Sequence, residues 1–322
     1  MSGKKPISID LRQLEYFVAL ADVGTISGAA SRLGITQPSL SEALAKLENQ
    51  LDIQLVVRGA RGTNLTEAGA ALAKYGHDIL KGIDLALEEV RHLGGEARGL
   101  VSVGLIQGIA MLLSVPLTET VQIELPLVKL RLSEGASGHV LEWLASGKID
   151  LAIIGHGRDD HDLESRPLLE EELFLISAPD NWPPPGSTIA PGQPIEFKDL
   201  KDLPLVLPAP QHGLREFVER FARSNSIQIN VTVEMDSLRQ IATLVSRASA
   251  YSIMSHASVM NEVSKGELVI VPIIKPVMRR TAHIIRKRSR PVTRASASVE
   301  RLISVILKEM IKRYGLSAKL AD

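Results

Sequence analysis

The chain has 322 residues, with 37 Lys+Arg against 37 Asp+Glu, so its formal net charge is zero. That balance argues against a protein that coats polyanions indiscriminately, while leaving room for a local module, because only the local field steers association. Aromatic residues at 3% disfavour single-strand nucleic-acid binding by base stacking. The absence of cysteine excludes disulfide scaffolds, Cys-ligated zinc and thiol redox sensing.

At the N-terminus Asp10 and Arg12 interrupt any apolar run, so no secretory signal is read there. Leu11, Leu14, Val18 and Ala21 recur at helical spacing beside Phe17 and predict a helix over 9–22. Ser27 is placed to cap a short second helix that Gly34 closes. Thr36 is placed to cap a third, with Pro38 in its first turn and Leu40, Leu44, Leu47 and Leu51 along one face. Ala30 lets two helices approach, Gly34 turns sharply and Leu40 anchors the second helix, which is the physical recipe for a helix-turn-helix. Such a helix presents its first residues to base edges in the major groove. Here those residues are Gln37, Pro38, Ser39, Ser41 and Glu42. Gln can bond adenine N6/N7, Ser is permissive, and Glu can accept from cytosine N4. Residues 55–65 then read as a β-wing in which Arg58 and Arg61 could reach phosphates or the minor groove. Arg32, Thr36 and Lys46 complete the expected DNA-contacting set. Over residues 1–65 seven basic groups face six acidic ones, a net of +1, so charge alone does not separate this reading from a three-helix bundle with a basic loop.

From Thr66 and Glu67 a long helix is predicted over 66–94. In it Leu72, Tyr75, Ile79, Ile83, Ala86, Val90 and Leu93 step by three or four, close to an a/d seam. A seam of that length is expected to pack on its own copy, giving a homodimer; a long helix lying on the next domain is the alternative.

Residues 9–69 resemble the winged helix-turn-helix of the LysR-type transcriptional regulators. Leu11-Arg12-Gln13-Leu14-Glu15-Tyr16-Phe17, Ala29-Ala30-Ser31-Arg32-Leu33, Thr36-Gln37-Pro38-Ser39-Leu40-Ser41, Leu47-Glu48, Arg58, Arg61 and Leu65-Thr66-Glu67-Ala68-Gly69 carry the likeness. Two residues depart from that family's pattern: Glu42 stands where a basic or neutral side chain is usual, and Val56 where Phe is common. The resemblance implies sequence-specific binding of double-stranded promoter DNA, modulation by a small-molecule effector, and a homodimer extending to a homotetramer.

After a glycine-rich hinge at 94–99, strands and helices alternate. Strands are predicted at 100–105, 129–133, 151–155, 173–178, 205–207, 231–235, 251–255, 268–271 and 283–286, and helices from about 109, then over 137–147, 213–224, 237–248 and 295–314. Alternation of this kind implies an α/β fold built mainly on parallel sheets. Residues 100–118 hold no charged residue, but Gly104, Gln107, Gly108 and Pro116 break the run into strand, turn and helix, so no membrane span is read and a cytoplasmic protein is expected. The resemblance implies a regulatory domain over 95–322 of the type 2 periplasmic-binding-protein kind. Its two subdomains would be 99–170 with 276–322, and 171–275, joined by crossover strands around an effector cleft. Lys148-Ile149-Asp150-Leu151-Ala152-Ile153 and Leu173-Phe174-Leu175-Ile176 carry this part. The segment 98–105 is similar to the nitrogen-assimilation-control branch.

Ligands of open α/β sheets sit at the carboxyl ends of strands, where helix N-termini offer free N–H groups. That rule selects Gln107 and Gly108, Ser137, Gly138 and His139, Gln211 and His212, Ser237, and Ser255 and His256. Ser137 also stands at a Ser/Thr position that contacts effectors in relatives. Small organic acids or nitrogenous metabolites are the expected effectors. Three other features have a plainer expectation. The stretch 156–162 offers metal-ligand types without rigid spacing, so no metal site is assigned. Residues 157–172 hold seven acids and two bases, while 275–294 hold eight bases and no acid. Mutual compensation is favoured there over a second DNA-binding patch. Six prolines make 179–194 an irregular surface loop. Neither a nucleophile elbow nor a phosphate loop is present: in Gly135-Ala136-Ser137-Gly138 the second glycine directly follows the serine, and Ser146-Gly147-Lys148 lacks the upstream glycine. No enzyme, cofactor or metal is therefore expected. A cytoplasmic solute-binding protein, or an enzyme on the α/β domain, is the rival reading.

Overall fold

Asp10 opens the first helix, α1 (Leu11–Val23), through a capping box: its carboxylate accepts from the Gln13 N–H at 2.7 Å, and Gln13 Oε1 accepts from the Asp10 N–H. The computed structural model describes residues 9–59, 62–91, 95–157, 159–187 and 189–321, with backbone alone at 58, 59, 88, 89 and 91. Within it the chain divides into two units, Met1–Gly94 with Ser289–Pro291, and Gly95–Arg288 with Val292–Asp322.

In the first unit Gly24, at φ 73°, ends α1, and the next extended residue, Thr25, caps α2 (Ile26–Leu33) by accepting from the Gly28 N–H. The cap is thus Thr25 and not Ser27, because the left-handed turn at Gly24 leaves Thr25 as the extended residue directly before Ile26, one residue ahead of Ser27. Gly34 turns the chain at φ 67°, and Thr36 caps α3 (Gln37–Leu51) by accepting from the Ser39 N–H. Ala29, Ala30, Leu20, Leu40, Leu44 and Leu47 form one core with Phe17, and Tyr16 packs against it half-buried. The strands β1 (Val56–Gly59) and β2 (Gly62–Leu65) pair antiparallel as the wing. Glu48 seats it by accepting from the N–H groups of Leu55 at 2.7 Å and Val56 at 3.2 Å. Thr66 then donates to the Gln54 carbonyl and accepts from the Gly69 N–H, opening α4 (Glu67–Arg91). On α4, Asp78 accepts from Arg290 at 2.9 and 3.1 Å, a buried pair inside this unit.

The second unit runs β3 (Gly99–Leu105), α5 (Gln107–Glu124), β4 (Val128–Glu134), α6 (Ser137–Ala145), β5 (Leu151–Ile154), β6 (Leu163–Ser177), β7 (Ile195–Glu196) and β8 (Leu205–Leu207). It continues through α7 (Gly213–Ser224), β9 (Val231–Glu234), α8 (Leu238–Ser246), β10 (Ser252–Ser255), α9 (Met260–Ser264), β11 (Val269–Ile274), β12 (Arg279–Lys287), α10 (Arg294–Tyr314) and β13 (Ala318–Leu320). The uncharged stretch 100–118 becomes β3 and the first part of α5, whose apolar residues fill a core, and no described helix is long and apolar enough to cross a membrane.

β3 is parallel to β4 and β5, β8 to β9, and β7 to β11, whereas β12 runs antiparallel to β5 and β6, and β10, β11 and β13 run antiparallel to β6. The sheet is therefore mixed rather than mainly parallel. The reason lies in β6 and β12, two long strands that pass between two hydrophobic cores. Leu168 and Leu169 belong to the core of β3, α5, α6 and α10; Leu173, Phe174, Leu175 and Ile176 belong to the core of β8, α7, α8 and β11. The polar halves of β6 and β12 carry the acidic and basic runs, and their register sets Glu172 opposite Arg279, Glu171 opposite Arg280 and Glu164 opposite Arg286. All three pairs form ion pairs, that of Arg280 with Glu171 fully buried at 2.6 Å. Lys275 pairs with Glu196, while Lys287, Arg288 and Arg294 donate to the carbonyls of Ala145, Leu163 and Gly95. With Arg290 on Asp78, every base of 275–294 has an acceptor on the protein.

Candidate functional site

Two surfaces follow from this architecture, one in each unit. In the first, burial of Leu40, Leu44 and Leu47 fixes which face of α3 is left outward. Gln37, Pro38, Ser39, Glu42 and Lys46 are exposed and Ser41 is half-buried, so the residues selected for base contact share the open face of the helix start. Thr36 and Ser39 also hold each other, their hydroxyls 2.8 Å apart, which ties both to the cap. Arg32, exposed on α2, donates to Asp22 at 3.1 Å, and the same carboxylate meets His77 Nε2 of α4 at 3.0 Å. The strand position of Arg58 is opposite Thr63; its side chain, and all of Arg61, lie outside the described residues. Sequence reasoning missed two positioning groups here. Gln13 is buried and reaches Gln50 at 3.0 Å, and Glu48 holds the wing; both are polar residues inside helical patterns that apolar spacing does not single out.

In the second unit the starts of α5, α6, α7 and α8 converge. The α8 helix is capped by Ser237, and α7 by His212, whose Nδ1 accepts from the Leu214 N–H at 3.2 Å. That bond places the neutral ring's proton on Nε2. Burial first, and then the charge of nearby Arg280, hold the His212 imidazole below the ordinary histidine range. The α5 and α6 helices follow Ile106 and Ala136, which offer no side-chain acceptor. Gln107 Oε1 accepts from the Leu238 N–H at 2.9 Å, and Ser137 packs on Gly213 so closely that a Cβ there would lie 2.5 Å from its oxygen.

These elements enclose a cavity of about 640 Å³ lined by Gln107, Gly138 and His212, together with Glu134, Gly135, Ala136, His139, Glu142, Ala209, Gln211 and Asp236. Ser137 and Ser237 stand next to wall residues in the chain without lining the wall. Gly108, Ser255 and Arg280 form a separate buried polar cluster with Ser258, whose hydroxyl is 3.0 Å from that of Ser255. His256 follows, its Nδ1 buried without a partner and its charged form disfavoured by burial. The wall acids Glu134, Glu142 and Asp236 were not legible from the strand-end rule, because only the approach of α6 to the loop after β9 sets them around one space. Asp160, His161 and Asp162 do bring three metal-ligand types together, yet His161 is 92% exposed and the three are consecutive on a loop.

Comparison with known proteins sharpens both surfaces. Residues 11–70 match the family model described as bacterial regulatory helix-turn-helix protein, lysR family, and residues 94–310 match the LysR substrate binding domain. The nitrogen assimilation regulatory protein nac of Klebsiella aerogenes is 30% identical over 251 residues, 78% of this chain and 79% of that protein. Its namesake in Escherichia coli (strain K12) is 26% identical over 307 residues, 95% of this chain and 98% of that protein. A full-length OxyR variant from Pseudomonas aeruginosa superposes with a TM-score of 0.71 over 94% of this chain and 95% of that one at 24% identity, a likeness of fold. With the reading helix, the wing and the two-core α/β unit all in place, the chain belongs to the LysR family of DNA-binding transcriptional regulators and carries that family's effector-binding domain.

Proposed function

We propose that this regulator reads promoter DNA with the open face of α3, through Gln37, Ser39, Ser41 and Glu42, and grips the backbone with Arg32, Lys46, Arg58 and Arg61. The observation that carries this reading is the exposure of Gln37, Pro38, Ser39 and Glu42 at the start of a helix whose opposite face is buried. Paired readers come from dimerisation along α4, where Tyr75, Ile79 and Val90 of the seam are 54%, 47% and 65% exposed. A small effector in the cavity between α5, α6, α7 and α8 acts by its differential affinity for two arrangements of the subdomains. The protein works in the cytoplasm by binding rather than by catalysis. The test of the reading helix uses duplexes selected by the wild-type protein from a random pool. In gel-shift titration Gln37→Ala weakens binding to them by about 1–3 kcal/mol, with the loss concentrated at one base position. Unchanged affinity and unchanged preference would remove α3 from the interface. In a promoter-reporter assay, Ser137→Ala blunts the effector response and leaves basal DNA binding intact.

A further inference from the structure

Asp22 stands where local rules disfavour an acid. It lies in the last turn of α1, whose free carbonyls repel a carboxylate, and that turn holds no base. Two side chains from other helices compensate it, one on each oxygen. Arg32, in the last turn of α2, donates from Nη1 to Oδ2 at 3.1 Å. His77 of α4 brings Nε2 within 3.0 Å of Oδ1. An ionised carboxylate can only accept, so the proton at this second contact is on Nε2 of His77.

The close approach of α4 that makes this contact is built into the packing. A Cβ on Gly76 would lie 2.7 Å from Val18 Cγ2 and 3.0 Å from Leu14 Cδ1, so only glycine lets α4 lie this near α1. On the other side of His77, Asp78 is held by its buried pair with Arg290, which fixes the rotation of α4 at this turn. His77 is thus a firm anchor for the Asp22 carboxylate. The Arg32 side chain, by contrast, is 57% exposed. Only Nη1 of its guanidinium is taken, and among the described residues Nε and Nη2 have no partner.

In a helix-turn-helix the helix before the reader crosses the DNA backbone, and here that helix is α2. An arginine fork pinned at one nitrogen keeps its other N–H groups free for a phosphate and has already lost most of its rotamer freedom. Resting on the proposed contact of Arg32 with the backbone, we infer that Asp22 and His77 are positioning residues for DNA binding. Asp22 orients the Arg32 guanidinium toward a phosphate. His77 ties Asp22 to α4, so the grip on the backbone depends on the helix that carries the dimer seam. A surface ion pair without such a role makes the opposite forecast. Removing an acid beside a polyanion then strengthens binding, because it relieves repulsion.

The experiment is gel-shift titration of the full-length protein, at several salt concentrations, on duplexes that the wild-type protein selects from a random pool. Arg32→Ala weakens binding and lowers the salt slope by about 1. Asp22→Ala weakens binding by about 3–10-fold although it removes a negative charge, and it adds no loss in the Arg32→Ala background. His77→Ala weakens binding by about 2–5-fold, whereas His77→Gln, whose Nε2 donates to the same oxygen, stays within about twofold of wild type. Thermal melts of the unbound variants accompany the titrations. Should Asp22→Ala melt early, the two His77 variants, which leave α1 and α2 intact, carry the test. Binding that Asp22→Ala tightens or leaves unchanged, or weakens equally with and without Arg32, overturns the positioning role and leaves the Arg32 contact standing. A His77→Gln protein as weak as His77→Ala overturns the tie to α4. An Arg32→Ala protein with wild-type affinity and salt slope overturns the Arg32 contact itself.

Discussion

Single residues in this protein act mostly by giving a backbone group its partner. Glu48 is the clearest case, because one oxygen serves both Leu55 and Val56. Glu48→Ala leaves two N–H groups at buried residues without an acceptor, at about 1–3 kcal/mol each; urea denaturation of the full-length protein shows the loss, and DNA affinity falls with it because the wing loses its seat. His212 acts both as the cap of α7 and as a titrating group. Its folded-state value lies below the ordinary 6.5, so the unfolded chain binds the proton more readily. The stability it contributes is present above 6.5 and is lost as pH falls from there toward the folded value, and His256 has the same sign. Tm therefore falls between about pH 7.5 and about pH 5.5. His212→Asn, which keeps an acceptor for the Leu214 N–H, falls less over that range. An equal fall in both proteins would show that the ring takes up its proton as readily in the folded as in the unfolded chain.

At the scale of elements, α4 and the pair β6 and β12 show how one pattern can be plain and another concealed. The seam of α4 was legible because its apolar residues recur at fixed spacing, and the side chains that define it remain exposed where a partner is needed. Ile79→Glu together with Ile83→Glu turns the dimer into a monomer in analytical ultracentrifugation. It weakens duplex binding by about 100-fold, since the second reader no longer binds intramolecularly. A dimer that survives both charges would move the interface off this face. In contrast, the extents of β6 and β12 were not legible. Only 173–178 and 283–286 carry the apolar signal of a strand, while their polar halves read as opposite charge runs. Those halves become strands because each residue finds an opposite charge across the ladder. Arg280→Met tests how much this matters at the buried rung. It strands Glu171 without a counter-ion and costs about 3–5 kcal/mol in thermal unfolding, whereas adding Glu171→Leu restores most of it.

For the whole molecule, the zero net charge is the sum of a barely basic reader, an acidic run and a basic run that neutralise each other at the crossover, and compensating remainders. Bulk charge therefore says little about DNA binding here. The sequence by itself determined the local features: the cap at Thr36, the turn at Gly34, the apolar face of α3, the α4 seam, and the absence of thiol chemistry in a chain without cysteine. These are set by neighbours within a few residues, which is the range over which spacing and capping rules operate. Tertiary structure decided the rest. Whether Arg279, Arg280 and Arg286 would meet phosphate or carboxylate, and whether Glu134, Glu142 and Asp236 would share one cavity, depends on strands and helices about 100 residues apart in sequence being brought together by two cores. No local periodicity encodes that distance, because the free energy that brings them together comes from burial of Leu, Ile and Val elsewhere in the chain.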